Sequence, residues 1–397
     1  LVRLHDDLLL KILSYLPTNE VPITSVLSKR WHCLWMLFPK LEYCCRNHTN
    51  GFESFPQFVS TSLLLHSAPV LESLHLTLHD MCPVTDIESC LEIASKRNLH
   101  ELKMGFLKSL LSLPRRLCET LVVMHLDGVV LDVTLVPSSF KSLKTLHLLC
   151  MTYKGNNNKS FKRLLSKCPV LEDLLIECNE GSQTFTVAVP SLQRLSIINS
   201  WSECFRLKTP SLKHLKIERF VMLSCYIENM PHIVTADVEV ERINLRELPG
   251  SLTSVERLSL LLIAPQGKVP QKPTKMFHRR LHLSLCTFYR DWPSYLKWMI
   301  EASPKLQTLK LHRGHWTRPC IRFSNENLKL PECSLPHLEL FEWRGYEGTP
   351  KNRKLASYIL TNASCLERVI ISSELSYADK KKDGILKALM RKEFSLL

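Results

Sequence analysis

A short pattern of large apolar residues recurs along most of this chain, with the spacing L-x-x-L-x-L, where L is any such residue. Copies begin at Leu71, Leu99, Leu121, Leu143, Leu171, Leu192, Leu212, Ile233, Val255, Leu306, Leu338 and Leu366. Up to Val255 the starts are separated by 28, 22, 22, 28, 21, 20, 21 and 22 residues. The alternating second half of each copy predicts a β-strand with one face turned inward. A chain built this way is expected to stack many similar strands side by side.

A unit of about 20–29 residues is typical of leucine-rich repeats. Each repeat leaves its apolar face uncovered, and stacked neighbours bury a continuous core. Helical spacing predicts helices at 85–96, 160–167 and 293–302, whereas the shorter units between 171 and 255 are expected to use loops in place of helices. We therefore predict the α/β class, with an irregular leucine-rich-repeat solenoid that carries parallel strands on its concave face.

The residue between the two strand leucines of each repeat is expected to project from the concave face. This row mixes histidine, lysine and other residues, and its basic members are the candidates for contact with a target: His75, Lys103, His125, His147, Lys216 and Lys310. The cations favour an acidic or phosphorylated ligand. The alternative is that these are ordinary surface side chains. A metal site at the histidines is disfavoured, because no cysteine or carboxylate joins them in the pattern.

The stretch 4–35 lies ahead of the repeats and has the spacing of three short helices. Asp6 and Asp7 suit the positive end of a first helix. Apolar residues then follow on one face of that helix, and others follow in a second and a third helix. Three helices in about thirty residues cannot cover this much apolar surface among themselves. We therefore predict a module that docks against a partner.

Three motifs in this stretch resemble an F-box of the form common in plants. They are Leu4-x-Asp6-Asp7-Leu8-Leu9, the ILSYLP of 12–17, and the SVLSKRW of 25–31 together with Trp35. His5 stands where the family usually has proline, and Pro22 stands where a small residue is usual. The resemblance implies docking to a Skp-type adaptor and, through it, to a cullin. The residues expected to bind the adaptor or to form the F-box core, two roles that the sequence does not separate, are Leu4, Leu8, Leu9, Ile12, Leu13, Leu16, Val26, Trp31, Leu34 and Trp35.

The carboxy-terminal part, from about Leu330 onward, resembles the FBD domain that follows leucine-rich repeats in many plant F-box proteins. The motif FEWRGYEG at 341–348 carries this resemblance. The pattern predicts a strand, a turn, a helix, a strand at 366–371 and a terminal helix at 378–393 that caps the array. The predicted domains are an F-box at 1–45, the repeats at 46–329, and the FBD domain with its cap at 330–397.

Composition limits the remaining classes. The net charge of +14, from 52 basic and 38 acidic residues, could serve nucleic acid, but no long basic block is present, so nucleic-acid binding is disfavoured. Fifteen cysteines without a C-x-x-C pair indicate reduced thiols, hence the cytoplasm, the nucleus or both. No apolar run approaches the roughly 20 residues of a membrane span. The printed chain begins with Leu1, so a targeting segment before it stays open.

Enzyme motifs are absent from the sequence: it has no G-x-G-x-x-G, Walker loop, H-E-x-x-H or G-x-S-x-G. We therefore expect no catalytic residues, metal or cofactor. The prediction is the substrate-recognition subunit of an SCF-type (Skp adaptor–cullin–F-box) E3 ubiquitin ligase, whose F-box docks the adaptor and whose repeats bind an unknown target protein. The alternatives are a leucine-rich-repeat interaction scaffold without ubiquitination and, motivated by charge alone, a nucleic-acid-binding protein.

Overall fold

The structure is a computed structural model, and it describes residues 4–16, 20–45, 54–79, 82–106, 110–136, 139–155, 157–178, 182–228, 230–244, 252–263, 265, 276–286, 292–312 and 334–373. The chain forms two compact units. Unit 1 is Leu1–Trp201 with Arg206–Thr209, and unit 2 is Ser202–Phe205 with Pro210–Leu397. Both units combine helices with parallel strands at leucine-rich repeats, which confirms the predicted α/β class.

The N-terminal stretch contains helix α1 (Asp6–Leu13), a 3₁₀ helix (Pro22–Leu27), helix α2 (Lys29–Leu34) and a second 3₁₀ helix (Trp35–Leu37). Its core consists of Leu9, Leu13, Val21, Trp31, Leu34 and Phe38. Arg30 on α2 forms a 2.6 Å ion pair with Asp6 at the start of α1, which joins the two helices. His5 has φ −63°, close to the value of about −65° that proline would fix. Histidine therefore preserves the backbone that the usual proline would give.

Unit 1 contains a parallel sheet in which strands follow one another in chain order. Its strands are β1 (Lys40–Cys44), β2 (Ser73–Thr77), β3 (Glu101–Gly105), β5 (Val123–Asp127), β7 (Thr145–Leu149), β9 (Asp173–Glu177) and β11 (Arg194–Ile198). The repeat leucines meet in register, since Leu74 pairs with Leu102 and Leu102 with Met124. Strand β1 precedes the first predicted repeat and pairs with β2, so the sheet begins directly after the N-terminal helices.

Short elements connect these strands in unit 1. The helices are α3 (Phe55–Leu65), α4 (Val84–Ser95), α5 (Arg115–Thr120) and α6 (Asn157–Ser166), and the strands β4 (Leu110–Leu111), β6 (Val130–Leu131) and β8 (Thr152–Tyr153) form a small parallel sheet. The helices predicted at 85–96 and 160–167 correspond to α4 and α6. The sequence reasoning missed α3 and α5, although the buried Phe55, Val59 and Leu63 of α3 recur at the helical spacing i, i+4, i+8.

The prediction that loops replace helices between 171 and 255 is correct for the helices, since the described part of this range contains none, but strands occur where loops were expected. Two additional strands occur there, β10 (Ser182–Ala188) and β12 (Trp201–Lys208), and the repeat strand predicted after Leu212 extends into the long β13 (His214–Ile227). Their apolar residues alternate and are buried, as Phe185 and Val187 show with 0% exposure. In unit 1 the ring of Phe185 lies 5.0 Å from that of Phe161 on α6. Period-2 alternation thus indicates strands with one face in the core. For β10 that face packs against α6.

Unit 2 repeats the same arrangement. Its strands β13, β14 (Thr235–Glu241), β15 (Arg257–Ile263), β16 (His282–Cys286), β17 (Thr308–His312), β18 (Leu340–Arg344) and β19 (Arg368–Ser372) pair in parallel and in chain order. Helix α7 (Trp292–Glu301) corresponds to the predicted 293–302, and α8 (Pro350–Asn362) follows the FEWRGYEG motif. The terminal helix predicted at 378–393 lies outside the described residues.

The FEWRGYEG motif forms an aromatic cluster in the core of unit 2. Trp343 is 3% exposed, and its ring lies 6.0 Å from Trp292, 6.2 Å from Phe341 and 5.1 Å from Tyr346. Gly345 has φ +76°, a backbone conformation that glycine adopts without the penalty of a side chain. The motif is therefore built to turn the chain after β18 and to fill the core.

One buried histidine connects the N-terminal helices to the repeats of unit 1. His66 is 1% exposed, with Nε2 2.7 Å from the Phe38 carbonyl oxygen and Nδ1 3.1 Å from Nη1 of Arg97. Arg97 can only donate, so Nδ1 accepts and Nε2–H donates to Phe38. Burial lowers the pKa of His66, in keeping with a neutral ring.

We expect His66→Phe to lower the free energy of unfolding by about 1–3 kcal/mol, because the buried Phe38 carbonyl loses its donor. Urea denaturation monitored by circular dichroism measures this. The matched control is His100→Phe at an exposed position, which should stay within about 0.5 kcal/mol of wild type. Equal midpoints for His66→Phe and wild type would show that the contact does not stabilise the fold.

Candidate functional site

Large apolar side chains are exposed on the N-terminal helices. Leu8, Ile12 and Tyr15 of α1 and its following turn are 49%, 39% and 79% exposed, and they follow the i, i+4, i+7 spacing of one helix face. Three more project from the 3₁₀ helix: Ile23 at 63%, Val26 at 81% and Leu27 at 62%. We call these six residues the N-terminal apolar surface. Exposed apolar groups of this density mark interaction sites.

The structure divides the ten residues expected to bind an adaptor. The buried ones are Leu9, Leu13, Trp31 and Leu34, and they form the module's own core. The partly buried ones are Leu4, Leu16 and Trp35, which pack against that core. Only Leu8, Ile12 and Val26 are exposed. Sequence reasoning missed Tyr15, Ile23 and Leu27, although their spacing from Leu8 and Val26 carries the signal.

A second candidate site is the outward face of the repeat strands in unit 1. Its central row is in register across neighbouring strands: His75 pairs with Lys103, Lys103 with His125, and His125 with His147. The expectation that these four side chains project from one face is therefore met by the strand pairing. The imidazole rings of His125 and His147 lie 4.1 Å apart.

One carboxylate, that of Glu101, lies beside two members of the basic row. Nζ of Lys103 lies 2.7 Å from Oε1 of Glu101, and Nε2 of His75 lies 3.5 Å from the same oxygen. A distance of 3.5 Å is too long for a good hydrogen bond. Nε2 of His75 is therefore buried without a hydrogen-bond partner. Among the described residues, no group of three histidine, cysteine or acidic side chains is placed to hold a metal ion.

The histidine row makes the fold sensitive to acid. Burial, followed by the neighbouring His147, lowers the pKa of His125 to about 4, and burial also lowers the pKa of His147 and of His75. An unfolded histidine takes up its proton near pH 6.5. The unfolded chain therefore binds protons first as the pH falls, and stability is lost between pH 6.5 and about 4.

We expect His125→Gln to remove part of this loss. As the pH falls from 7 to 4.5, the free energy of unfolding of the variant should fall by about 1–2 kcal/mol less than that of wild type. This value is reduced for the partial exposure of the imidazole. Urea unfolding at several pH values measures the difference. His100→Gln, at an exposed site, serves as the control, and parallel pH profiles for His125→Gln and wild type would contradict the expectation.

The corresponding row in unit 2 contains the other two expected target-facing residues. Nζ of Lys216 lies 2.9 Å from Oε2 of Glu218, and Nζ of Lys310 lies 3.0 Å from Oε2 of Glu342. Between them in the register come Asp237, Ser259 and Ser284. A shallow cavity of about 410 Å³ lies over strands β14 to β17 at this place. Sequence reasoning missed two of its lining residues, Arg257 and His282, because they flank the central row.

No helix in the described part of the chain is long and apolar enough to cross a membrane.

Comparison with known families places three models along the chain. The F-box domain matches residues 1–43, the leucine-rich repeats of the FBD-associated F-box protein At5g56370 match 87–238, and the FBD model matches 326–371.

Whole-length relatives come from Arabidopsis thaliana. The chain is 41% identical to F-box/FBD/LRR-repeat protein At5g56420, over 98% of this chain and 95% of the relative. It is 40% identical to F-box/FBD/LRR-repeat protein At4g26340, over 96% and 94%. It is 39% identical to the probable FBD-associated F-box protein At1g32375, over 100% and 96%.

Proposed function

The chain belongs to the plant family of F-box proteins with leucine-rich repeats and an FBD domain, and from this membership we propose that it is the substrate-recognition subunit of an SCF-type ubiquitin ligase. The F-box docks a Skp-type adaptor, and the adaptor connects the chain to a cullin. The repeats form a solenoid that holds a target protein within reach of a separate conjugating enzyme. The chain needs no catalytic residues or cofactor, because it promotes ubiquitin transfer by raising the effective concentration of the target. It acts in the cytoplasm or the nucleus.

The N-terminal apolar surface is the single observation that carries the adaptor step. A 3₁₀ helix with three large apolar side chains at 62–81% exposure gains stability when a partner covers it. Its core neighbours Leu9, Trp31 and Leu34 hold the surface in shape. We therefore propose Leu8, Ile12, Tyr15, Ile23, Val26 and Leu27 as the adaptor contacts, with the buried residues acting through the fold.

The target step rests on the outward rows of the two units. We propose His75, Lys103, His125 and His147 in unit 1 and Lys216 and Lys310 in unit 2 as contact residues. Because a carboxylate lies beside Lys103 and Lys216, these two positions present paired charges, whereas Lys310 shares the carboxylate of Glu342 with Arg344. Paired charges select a partner by complementarity more than they add affinity.

Reconstitution tests the proposal. The full chain is co-expressed with a plant Skp-type adaptor, purified, and then combined with a cullin, its RING partner and a conjugating enzyme. We expect a stable complex of one chain with one adaptor, and ubiquitin transfer to proteins that the repeats retain from plant extract. A folded chain that retains its partners but binds no adaptor would overturn the proposal in favour of a scaffold without ubiquitination.

A further inference from the structure

Two strands of this chain carry the same Arg-Leu-Ser sequence, at 194–196 on β11 and at 257–259 on β15. In unit 1, Nε of Arg194 donates to Oδ2 of Asp173 on the neighbouring strand at 2.8 Å, so its charge is neutralised. In unit 2, the register neighbours of Arg257 are Thr235 and His282. No carboxylate in the described part of the chain pairs with Arg257, which is exposed. The same motif thus supplies a satisfied arginine in one unit and a free one in the other.

Arg257 borders the cavity of about 410 Å³ over β14 to β17. Ser259 and Ser284 are paired in the register at its centre. Their short side chains sit where other strands carry lysine, histidine or glutamate, which leaves room above the sheet. Neither hydroxyl has a hydrogen-bond partner among the described residues. The cavity therefore offers two hydroxyl donors beside a free guanidinium.

Two further basic side chains line the same cavity, His282 and Lys310. Burial, then Arg257 and Lys310, lower the pKa of His282, and the carboxylates of Glu339 and Glu256 oppose this shift. Lys310 shares its carboxylate partner Glu342, because Nε of Arg344 lies 2.5 Å from the other oxygen of that buried side chain. Lys310 is therefore only partly neutralised by Glu342.

We propose that this cavity receives a phosphate group carried on a side chain of the target protein, held by Arg257, Lys310, Ser259 and Ser284. The inference rests on the proposed target binding and specifies its chemistry. Phosphate carries a charge of about −1.5 to −2 and three strong acceptor oxygens. It can use the guanidinium fork, the ammonium and both hydroxyls together. A carboxylate has two oxygens and a single charge, so it would leave several of these donors unused.

Asp237 sets the orientation of the bound segment. It lines the cavity on β14, one strand from Ser259 and two from Ser284, which places it about 5–10 Å from the proposed phosphate position. Its negative charge disfavours an anion on the β14 side of the cavity, which directs the phosphate toward Ser284 and Lys310 and favours a hydroxyl or a cation of the target beside Asp237. The cavity thus selects one phosphorylated side chain rather than a run of acidic residues.

A peptide titration of the full chain tests the assignment. The probes are acetyl-Ala-Ala-phosphoserine-Ala-Ala-amide and its serine and glutamate counterparts, titrated at constant ionic strength by calorimetry. We expect the phosphoserine peptide to bind at least about tenfold more tightly than either counterpart, as expected for charge-assisted hydrogen bonds. Arg257→Gln should weaken it about tenfold, and joint Ser259→Ala and Ser284→Ala should weaken it further.

Arg194→Gln is the matched control, because it removes the same residue type from the same repeat position. It should change phosphoserine affinity by less than about twofold. Equal losses in Arg194→Gln and Arg257→Gln would overturn the site in favour of general charge attraction, and equal affinity for the glutamate peptide would overturn the phosphate assignment. Arg257→Gln should leave adaptor binding unchanged. Loss of adaptor binding and loss of phosphoserine binding are therefore distinguished by measuring both affinities.

Discussion

Val26→Glu is expected to weaken adaptor binding at least about 30-fold, corresponding to the 2 kcal/mol or more of a central hot spot, while the unfolding midpoint stays that of wild type. Val26 is 81% exposed, so glutamate remains hydrated in the free chain and leaves the fold undisturbed. On docking, the same carboxylate would have to leave water without a cationic partner, which is strongly unfavourable. Calorimetric titration with the purified adaptor measures the affinity.

Two comparisons separate contact from folding. Val170→Glu introduces the same charge at an exposed valine elsewhere in unit 1, 39% exposed, and should leave adaptor affinity unchanged. Leu9→Ala acts at a fully buried site and should reduce stability by about 2–5 kcal/mol, with adaptor affinity falling only as the folded fraction falls. Wild-type affinity in Val26→Glu would remove the 3₁₀ helix from the adaptor interface.

Trp343→Ala is expected to cost unit 2 about 3–5 kcal/mol of stability, the range for removing a large aromatic side chain from a core. Trp343 lies in edge contact with Trp292, Phe341 and Tyr346. Its loss leaves a cavity and ends all three ring contacts, each of which adds stability beyond its buried area. Chemical denaturation followed by tryptophan fluorescence and circular dichroism measures the change.

The matched control is Trp201→Ala, since Trp201 is 38% exposed and its removal should cost about 1 kcal/mol or less. We expect Trp343→Ala to retain adaptor binding at low temperature, because the N-terminal core lies in unit 1 and unit 2 has its own aromatic cluster. A small stability loss, similar to that of Trp201→Ala, would mean that FEWRGYEG serves a surface rather than the core.

Periodicity located most of the regular elements. The L-x-x-L-x-L copies at Leu74, Leu102 and Leu146 became strands with buried leucines, because alternation forces one face of a strand inward. The same reasoning failed between 171 and 255, where β10 and β12 replaced the expected loops. Both strands do alternate, but they lie outside the L-x-x-L-x-L copies, and the packing of Phe185 on β10 against Phe161 on α6 is a tertiary contact.

The amino-acid sequence by itself predicted which residues make up both candidate sites. Helical spacing indicated an apolar N-terminal module, and strand spacing indicated a row of basic residues. Only the tertiary structure decided which members face outward and which charges remain free. Leu9 and Val26 look alike in sequence, yet one is buried and the other 81% exposed. Arg194 and Arg257 share the same local motif, yet only Arg194 meets a carboxylate. The burial and charge pairing of these four residues depend on neighbours distant in the chain, and local periodicity does not distinguish the members of either pair.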